Sequence, residues 1–206
     1  MGWWTERVVP RMVDRALRGP EVAPYRRTVC GGLHGTVLEL GFGSGLNIPY
    51  YPQEVQRVLA IEPSDTAWEL SAERRARSSI PVERGGRDAQ LLDFDDASVD
   101  VALSTFTLCT IPDPAAALAE VRRVLRPGGT FHFVEHGRSP DAGVAAWQNV
   151  MSPVNTACAG GCHLTRQIDR LVIDAGLSME NLDVGYLAVP APMSQRYGFV
   201  GVARRP

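Results

Sequence analysis

The chain has 206 residues and a mass of 22.4 kDa, a length that fits one domain with a sizeable buried core. Hydrophobic residues make up 45%, and 21 basic against 23 acidic residues leave a formal net charge of −2, which gives no electrostatic footprint for a dedicated nucleic-acid binder. No apolar run approaches the ~18 residues a membrane-spanning helix needs, and nothing like a secretory signal precedes Cys30, Cys109, Cys158 and Cys162, so a cytoplasmic setting is expected.

Residues 1–34 are expected to form an N-terminal helical cap on a single domain spanning 1–206. Met12, Val13, Ala16 and Leu17 share one helical stripe after Pro10, and Gly19-Pro20 closes it. A second helix is predicted from about Pro24 to Cys30, ended by Gly31-Gly32. The aromatic residues of this cap, Trp3, Trp4 and Tyr25, can pack on a sheet, cover an apolar pocket or lie against a membrane surface.

The stretch from Thr36 to Asn47, TVLELGFGSGLN, organises the rest of the chain. Val37, Leu38 and Leu40 form the short apolar run of a buried parallel strand. It ends in Gly41, Gly43 and Gly45, which allow sharp turns at positive φ and leave no Cβ between backbone and ligand. In open α/β sheets such a loop lies where ligands bind. A dinucleotide fingerprint wants its third glycine at position 46, where this chain has Leu46, so an NAD-dependent oxidoreductase is the weaker reading.

The second strand, Arg57 to Ile61, ends at Glu62, placed to accept both ribose hydroxyls of an adenosine. Pro63 and Ser64-Asp65 come next as turn and helix cap, with a helix to about Arg77. After a third strand at Pro81 to Gly86, Asp88 can accept from an adenine amine beside the backbone of Ala89, or cap a helix. Val99 to Ser104 is the fourth strand; Asp113 and Pro114 then open a helix that Arg126-Pro127-Gly128-Gly129 ends. Thr130 to His136 is a fifth strand, expected to be partly exposed on one face. Residues 137–178 form a variable substrate-side region: a helix over Asp141 to Ala159 broken by Pro153, then one from Thr165 to Ala175 closed by Gly176. Two strands near Met179 to Leu187 and Gln195 to Arg204 close the chain as an antiparallel edge pair. The alternation implies an α/β, doubly wound, mostly parallel sheet.

The glycine loop preceded by Glu39, the acid at Glu62, Asp88-Ala89, Ser98 to Val101 and Arg122 to Gly129, in that order, resemble the motifs of class I S-adenosylmethionine (SAM)-dependent methyltransferases over about residues 35 to 136. The resemblance implies a seven-stranded Rossmann-like sheet in the order 3-2-1-4-5-7-6 with strand seven antiparallel. It assigns cofactor contacts to Glu39, Gly41, Gly43, Gly45, Glu62, Asp88 and Ala89, and Asn47, Pro63 and Ser104 are included with them. Thr107 to Ile111, Phe133 to His136, Trp147 and Gly161 to Arg166 look like stretches of the methyltransferase-like thiol S-methyltransferases and their bacterial relatives. Animal members of that group carry an N-terminal membrane anchor, which the short amphipathic piece here does not match.

Methyl transfer from a sulfonium asks the protein to align nucleophile, methyl and sulfur and to exclude water. A thiol with an ordinary pKa near 8.5 is already partly thiolate at neutral pH, so a small apolar thiol is the favoured acceptor. A quinone-like ring or a phospholipid amine is the alternative, and a non-catalytic SAM-binding domain the non-enzymatic one. His136 is the candidate catalytic base, or a histidine behind the site, with Glu135 able to orient it or to hold the cofactor. Cys109, Trp147, His163 and Arg166 are the candidate substrate contacts, with Cys109 lining a wall, Thr165 capping a helix and Arg166 meeting a carboxylate. Cys158, Cys162 and His163 lack the second ligand pair a structural zinc site needs, so no metal is expected.

Overall fold

Apolar runs such as Thr36 to Leu40 and Val99 to Leu103 fit strands covered on both faces, and a computed structural model, describing residues 2–158, 160–189 and 191–206, shows that arrangement. A π-helical turn over Trp4–Val8 leads into α1 (Val9–Leu17), then α2 (Ala23–Cys30), β1 (Gly35–Leu40), β2 (Val55–Ile61), α3 (Asp65–Leu70), α4 (Ala72–Arg77) and β3 (Val82–Gly86). Next come β4 (Val99–Thr105), α5 (Pro114–Val124), β5 (Leu125–His136), α6 (Ala142–Cys158), α7 (Ile168–Asp174), β6 (Ser178–Tyr186) and β7 (Tyr197–Arg204). One sheet takes all seven strands in the order β3-β2-β1-β4-β5-β7-β6. Its first five strands pair in parallel, and β7 runs antiparallel to both β5 and β6.

Strand alternation splits the core into two layers. Leu38, Leu40 and Ala102 pack with Leu118 and Val121 of α5 and Ile168 and Val172 of α7. Val37, Val101 and Leu103 point the other way, onto Val29 and Cys30 of α2. Glu39 therefore lies on the α2 side, two residues along from Val37. That parity decides which helix can reach it.

Four local expectations are corrected. The helix after Glu62 breaks at Ser71, whose hydroxyl donates to the Trp68 carbonyl at 2.6 Å and competes with the helical bond. β5 begins at Leu125 and is buried from Thr130 to Glu135 rather than exposed on one face, because α2 covers His132, whose Nδ1 lies 2.9 Å from the Val29 carbonyl. α6 runs unbroken through Pro153 to Cys158; the ring is exposed, while Gln148, Ser152 and Asn155 anchor the opposite side. Ala159, at the end of that expected helix, lies outside the described residues. Finally, α7 starts at Ile168 with Gln167 in the cap position, so Thr165 is not its cap.

Trp3 and Trp4 do not pack on the sheet: they are 73% and 43% exposed. Tyr25 does pack against the core, and its hydroxyl accepts from the Ala188 amide at 2.7 Å. No helix among the described residues is long and apolar enough to cross a membrane.

Candidate active site

The carboxyl ends of β1, β2, β4 and β5 meet at one edge of the sheet, and the chemistry-bearing side chains collect there. Gly41, Gly43 and Gly45 all adopt positive φ, at 60°, 59° and 76°. A Cβ at Gly41 would stand 2.1 Å from Thr107 Oγ1. The first position of the loop thus needs glycine twice, for its backbone and for its approach to the turn after β4.

Glu62, at the tip of β2, is 5% exposed and is held by two backbone amides: Gly43 donates at 2.6 Å and Ser64 at 2.8 Å. Burial raises its pKa, and those amides and Arg84 oppose the rise. Each oxygen of an ionised carboxylate has two lone-pair sites, so one remains on each for a vicinal diol. Ser64 caps α3 by accepting from the Ala67 amide at 3.2 Å, and Pro63 beside it is exposed.

Glu39 is fully buried, and its carboxylate accepts from Asn47 Nδ2 at 2.9 Å and from the Tyr51 hydroxyl. Asn47 Nδ2 also reaches Thr105 Oγ1 at 3.0 Å, and its Oδ1 accepts from Arg26 Nη1 at 2.5 Å. Arg26, itself 4% exposed, is a residue sequence reasoning missed. Its buried guanidinium on α2 looks like surface charge in the sequence. Glu39 and Asn47 thus act through a network that fixes the far end of the glycine loop. Burial pushes the Glu39 carboxyl up to about 7, against the hydrogen bonds of Tyr51 and Asn47 and the Arg26 charge.

Stability inherits a pH dependence from this carboxyl. A group whose folded pKa exceeds its unfolded one favours folding in its protonated form, and that contribution is lost as pH rises toward about 7. Arg26→Met removes the charge opposing this rise and leaves Asn47 Oδ1 without its donor. Its loss of stability is therefore expected to be larger at about pH 8 than at about pH 5, reaching about 3 kcal/mol at the higher pH. Urea denaturation at the two pH values measures the difference.

Asp88 is exposed at the end of β3 and uses Oδ1 to close a turn, accepting from the Gln90 amide at 2.9 Å and Nε2 at 2.8 Å. It caps no helix, and Ala89 beside it is buried. Ser104 is placed differently from expectation: it is fully buried and its hydroxyl donates to Glu135 Oε1 at 2.7 Å.

Glu135 is the hub of the second half of the site. Its buried carboxylate accepts from the amides of Thr107 at 2.9 Å and Cys109 at 3.3 Å, as well as from Ser104. Burial raises its pKa and these donors oppose that. The turn they hold contains Phe106 at φ 56°, a left-handed conformation that a non-glycine residue adopts only when its surroundings impose it. The Phe106 ring lies 4.8 Å from that of His136.

Arg166 does not present a free guanidinium to a carboxylate; it donates to the carbonyls of Leu108 and, at 3.4 Å, Pro112. It is a positioning residue for the turn after β4. The His163 amide donates to the Cys109 carbonyl at 2.7 Å, which docks the loop after α6 on the same turn. Trp147 is 53% exposed on α6, with Val150 and Val154 also exposed.

That docking assembles a group hidden in the sequence. One ligand atom each of Cys109, His136 and Cys162 lies within 4.8 Å of the others. Cys109 is buried, and bonding to Cys162 and then burial raise its thiol pKa; Cys162 is held below the usual thiol range by Cys109 and then His136. Cys158 is exposed and takes no part. The three members come from the turn after β4, the end of β5 and the loop after α6, so no local spacing could have revealed them.

Comparison with known proteins agrees with this arrangement. A family model described as a methyltransferase domain matches residues 38–133. The thiol S-methyltransferase TMT1B of Rattus norvegicus is 36% identical over 139 residues, covering 64% of this chain and 55% of the relative. The phosphatidylethanolamine N-methyltransferase of Cereibacter sphaeroides is 31% identical, covering 76% of this chain and 78% of the relative. A SAM-dependent methyltransferase from Aquifex aeolicus shares the fold, with a TM-score of 0.67 at 19% identity over 96% of this chain and 98% of the other. The chain spans about half the length of the TMT1B enzymes it matches, 55% of the rat protein.

Proposed function

The chain belongs to the class I SAM-dependent methyltransferases, and on that footing we propose that it transfers a methyl group from SAM to a small, fairly apolar thiol. The observation that carries the cofactor half is the Glu62 carboxylate, fixed by the Gly43 amide and adjoining three positive-φ glycines. This is a cradle that a Cβ would fill on one side and a diol acceptor on the other. Glu62 would bind the ribose, the backbone of Gly41 to Gly45 would approach the amino-acid portion, and Asp88 with the Ala89 backbone would read the adenine edge. When bound, SAM supplies an electrophilic methyl group on a sulfonium.

The chain's own residues then position rather than activate. Glu135 fixes the turn from Ser104 to Cys109 facing the glycine loop, and Arg166 and His163 close the loop after α6 onto it. Water exclusion and alignment are what an in-line displacement needs. His136 sits at this edge with Nδ1 buried and unpartnered. Two soft sulfurs beside that ring favour a thiol over an amine or an enol carbon, in keeping with the 36% identity to a thiol S-methyltransferase. A phospholipid amine is the second reading, favoured by the relative from Cereibacter sphaeroides.

Incubation with methyl-labelled SAM and a panel of small thiols, quinols and phosphatidylethanolamine vesicles tests the acceptor. The expected result is label in a thioether. Label confined to lipid amine would replace the thiol reading with the second one.

A further inference from the structure

We propose that Cys109, His136 and Cys162 bind one thiophilic divalent metal ion of the zinc class, and that its fourth position takes the sulfur of the acceptor thiol. The fourth-position assignment rests on the thiol reading above; the metal site does not.

Two sulfurs and an imidazole nitrogen are the ligand set of an open, three-coordinate zinc site that keeps one position for a reactant. In a tetrahedral site with metal–sulfur bonds of about 2.3 Å and metal–nitrogen bonds of about 2.0 Å, ligand atoms stand about 3.5–3.8 Å apart. The three here lie within 4.8 Å of one another, so closing on an ion needs side-chain movement of an ångström or so.

An independent observation comes from the histidine. His136 Nδ1 is buried with no hydrogen-bond partner, and an unmet polar group in that position costs stability unless something binds it. A disulfide between Cys109 and Cys162 would satisfy the sulfurs and leave this nitrogen alone, whereas a metal ion bound through Nδ1 would satisfy it together with both sulfurs.

Outer support is already built. The Cys109 amide is held by Glu135 at 3.3 Å, and the Cys109 carbonyl by the His163 amide at 2.7 Å. The Phe106 ring stands against that of His136. Fixing ligand-bearing segments through neighbouring hydrogen bonds is how metal sites acquire affinity. Charge balance is also favourable: two thiolates neutralise a dication, which makes the partly buried set acceptable.

Both cysteines bind the ion as thiolates, and the proton still held by Cys109 goes to solvent. An acceptor thiol taking the fourth position releases one more proton and becomes a metal-bound thiolate. Its sulfur keeps a lone pair for attack on the methyl carbon. The new sulfur–carbon bond forms as the methyl–sulfonium bond breaks, and that electron pair stays on the departing sulfur, which becomes a neutral thioether.

Cobalt(II) titration of reduced, chelator-treated full-length protein is the test. One equivalent is expected to give a thiolate-to-cobalt charge-transfer band in the near ultraviolet and tetrahedral ligand-field bands in the visible, both bleached by one equivalent of zinc. Cys109→Ser and Cys162→Ser should each lose charge-transfer intensity, and His136→Gln should alter the visible bands. Cys158→Ser, outside the cluster, should retain both features. SAM calorimetry on every variant reports whether each is folded. A folded wild type that binds SAM without a thiolate–cobalt band would overturn the metal site. Bands that form but do not shift when 2-mercaptoethanol is added would overturn the fourth-position assignment. Failure of the wild type to bind SAM would count against the methyltransferase reading and leave the metal site to be judged on the cobalt bands.

Discussion

Glu62→Ala is expected to lower SAM affinity by about 100-fold. In the proposed binding mode the variant removes two charge-assisted hydrogen bonds to the ribose, worth about 3 kcal/mol together. It also frees the Gly43 and Ser64 amides, which the carboxylate holds at 2.6 and 2.8 Å. Glu62→Gln keeps one carbonyl acceptor and should lose closer to tenfold. Calorimetric titration of both variants separates the two roles of the side chain. If alanine and glutamine weaken binding equally, charge is what matters; if neither weakens it, the carboxylate does not face the ribose and only braces the loop.

Glu135→Ala carries the largest expected cost in stability, about 4 kcal/mol. The substitution strands the Ser104 hydroxyl and the Thr107 and Cys109 amides in a fully buried setting, and each unsatisfied donor costs about 1–3 kcal/mol. It also releases the constraint that keeps Phe106 at φ 56°. Glu135→Gln preserves shape but turns an NH2 group toward those donors, so its cost should be smaller yet well above that of a surface change. Urea denaturation measures both. A loss below about 1 kcal/mol for the alanine variant would show that water replaces the carboxylate.

Much of this architecture can be read from the chain because it rests on local signals. Apolar runs bounded by glycine and proline mark the buried parallel strands, and three glycines after the first place the ligand loop at the sheet's carboxyl edge. Glu62 is legible from its position at the next strand tip. The reversed β7 shows in the closeness of the last two strands. Features that fail to show depend on contacts between distant segments. Arg26 sits beside the exposed Arg27 on α2, and only the face of Glu39 reveals why it is buried. Arg166 looks like a substrate contact until its bonds to the Leu108 and Pro112 carbonyls are seen. Ser104 looks like a cleft residue because it ends a strand, yet its hydroxyl belongs to Glu135.

The Cys109, His136 and Cys162 group is the clearest case. Local spacing pairs Cys162 with Cys158 and His163, and that pairing leads nowhere, since Cys158 is exposed at the end of α6. Tertiary packing substitutes Cys109 and His136, from the ends of neighbouring strands β4 and β5. Residues at adjacent strand ends are close in space whatever their separation in the chain. Candidate ligand sets in this fold class are therefore better sought along the carboxyl edge than along the sequence.

Calorimetric titration of the wild-type protein with SAM, against a parallel titration with NAD, tests the central claim most directly. The expected result is saturable binding of one SAM per chain and no heat with NAD. A folded protein that binds NAD, or that gives no saturable heat with SAM, would contradict the assignment of the glycine loop and Glu62 to the methyl donor.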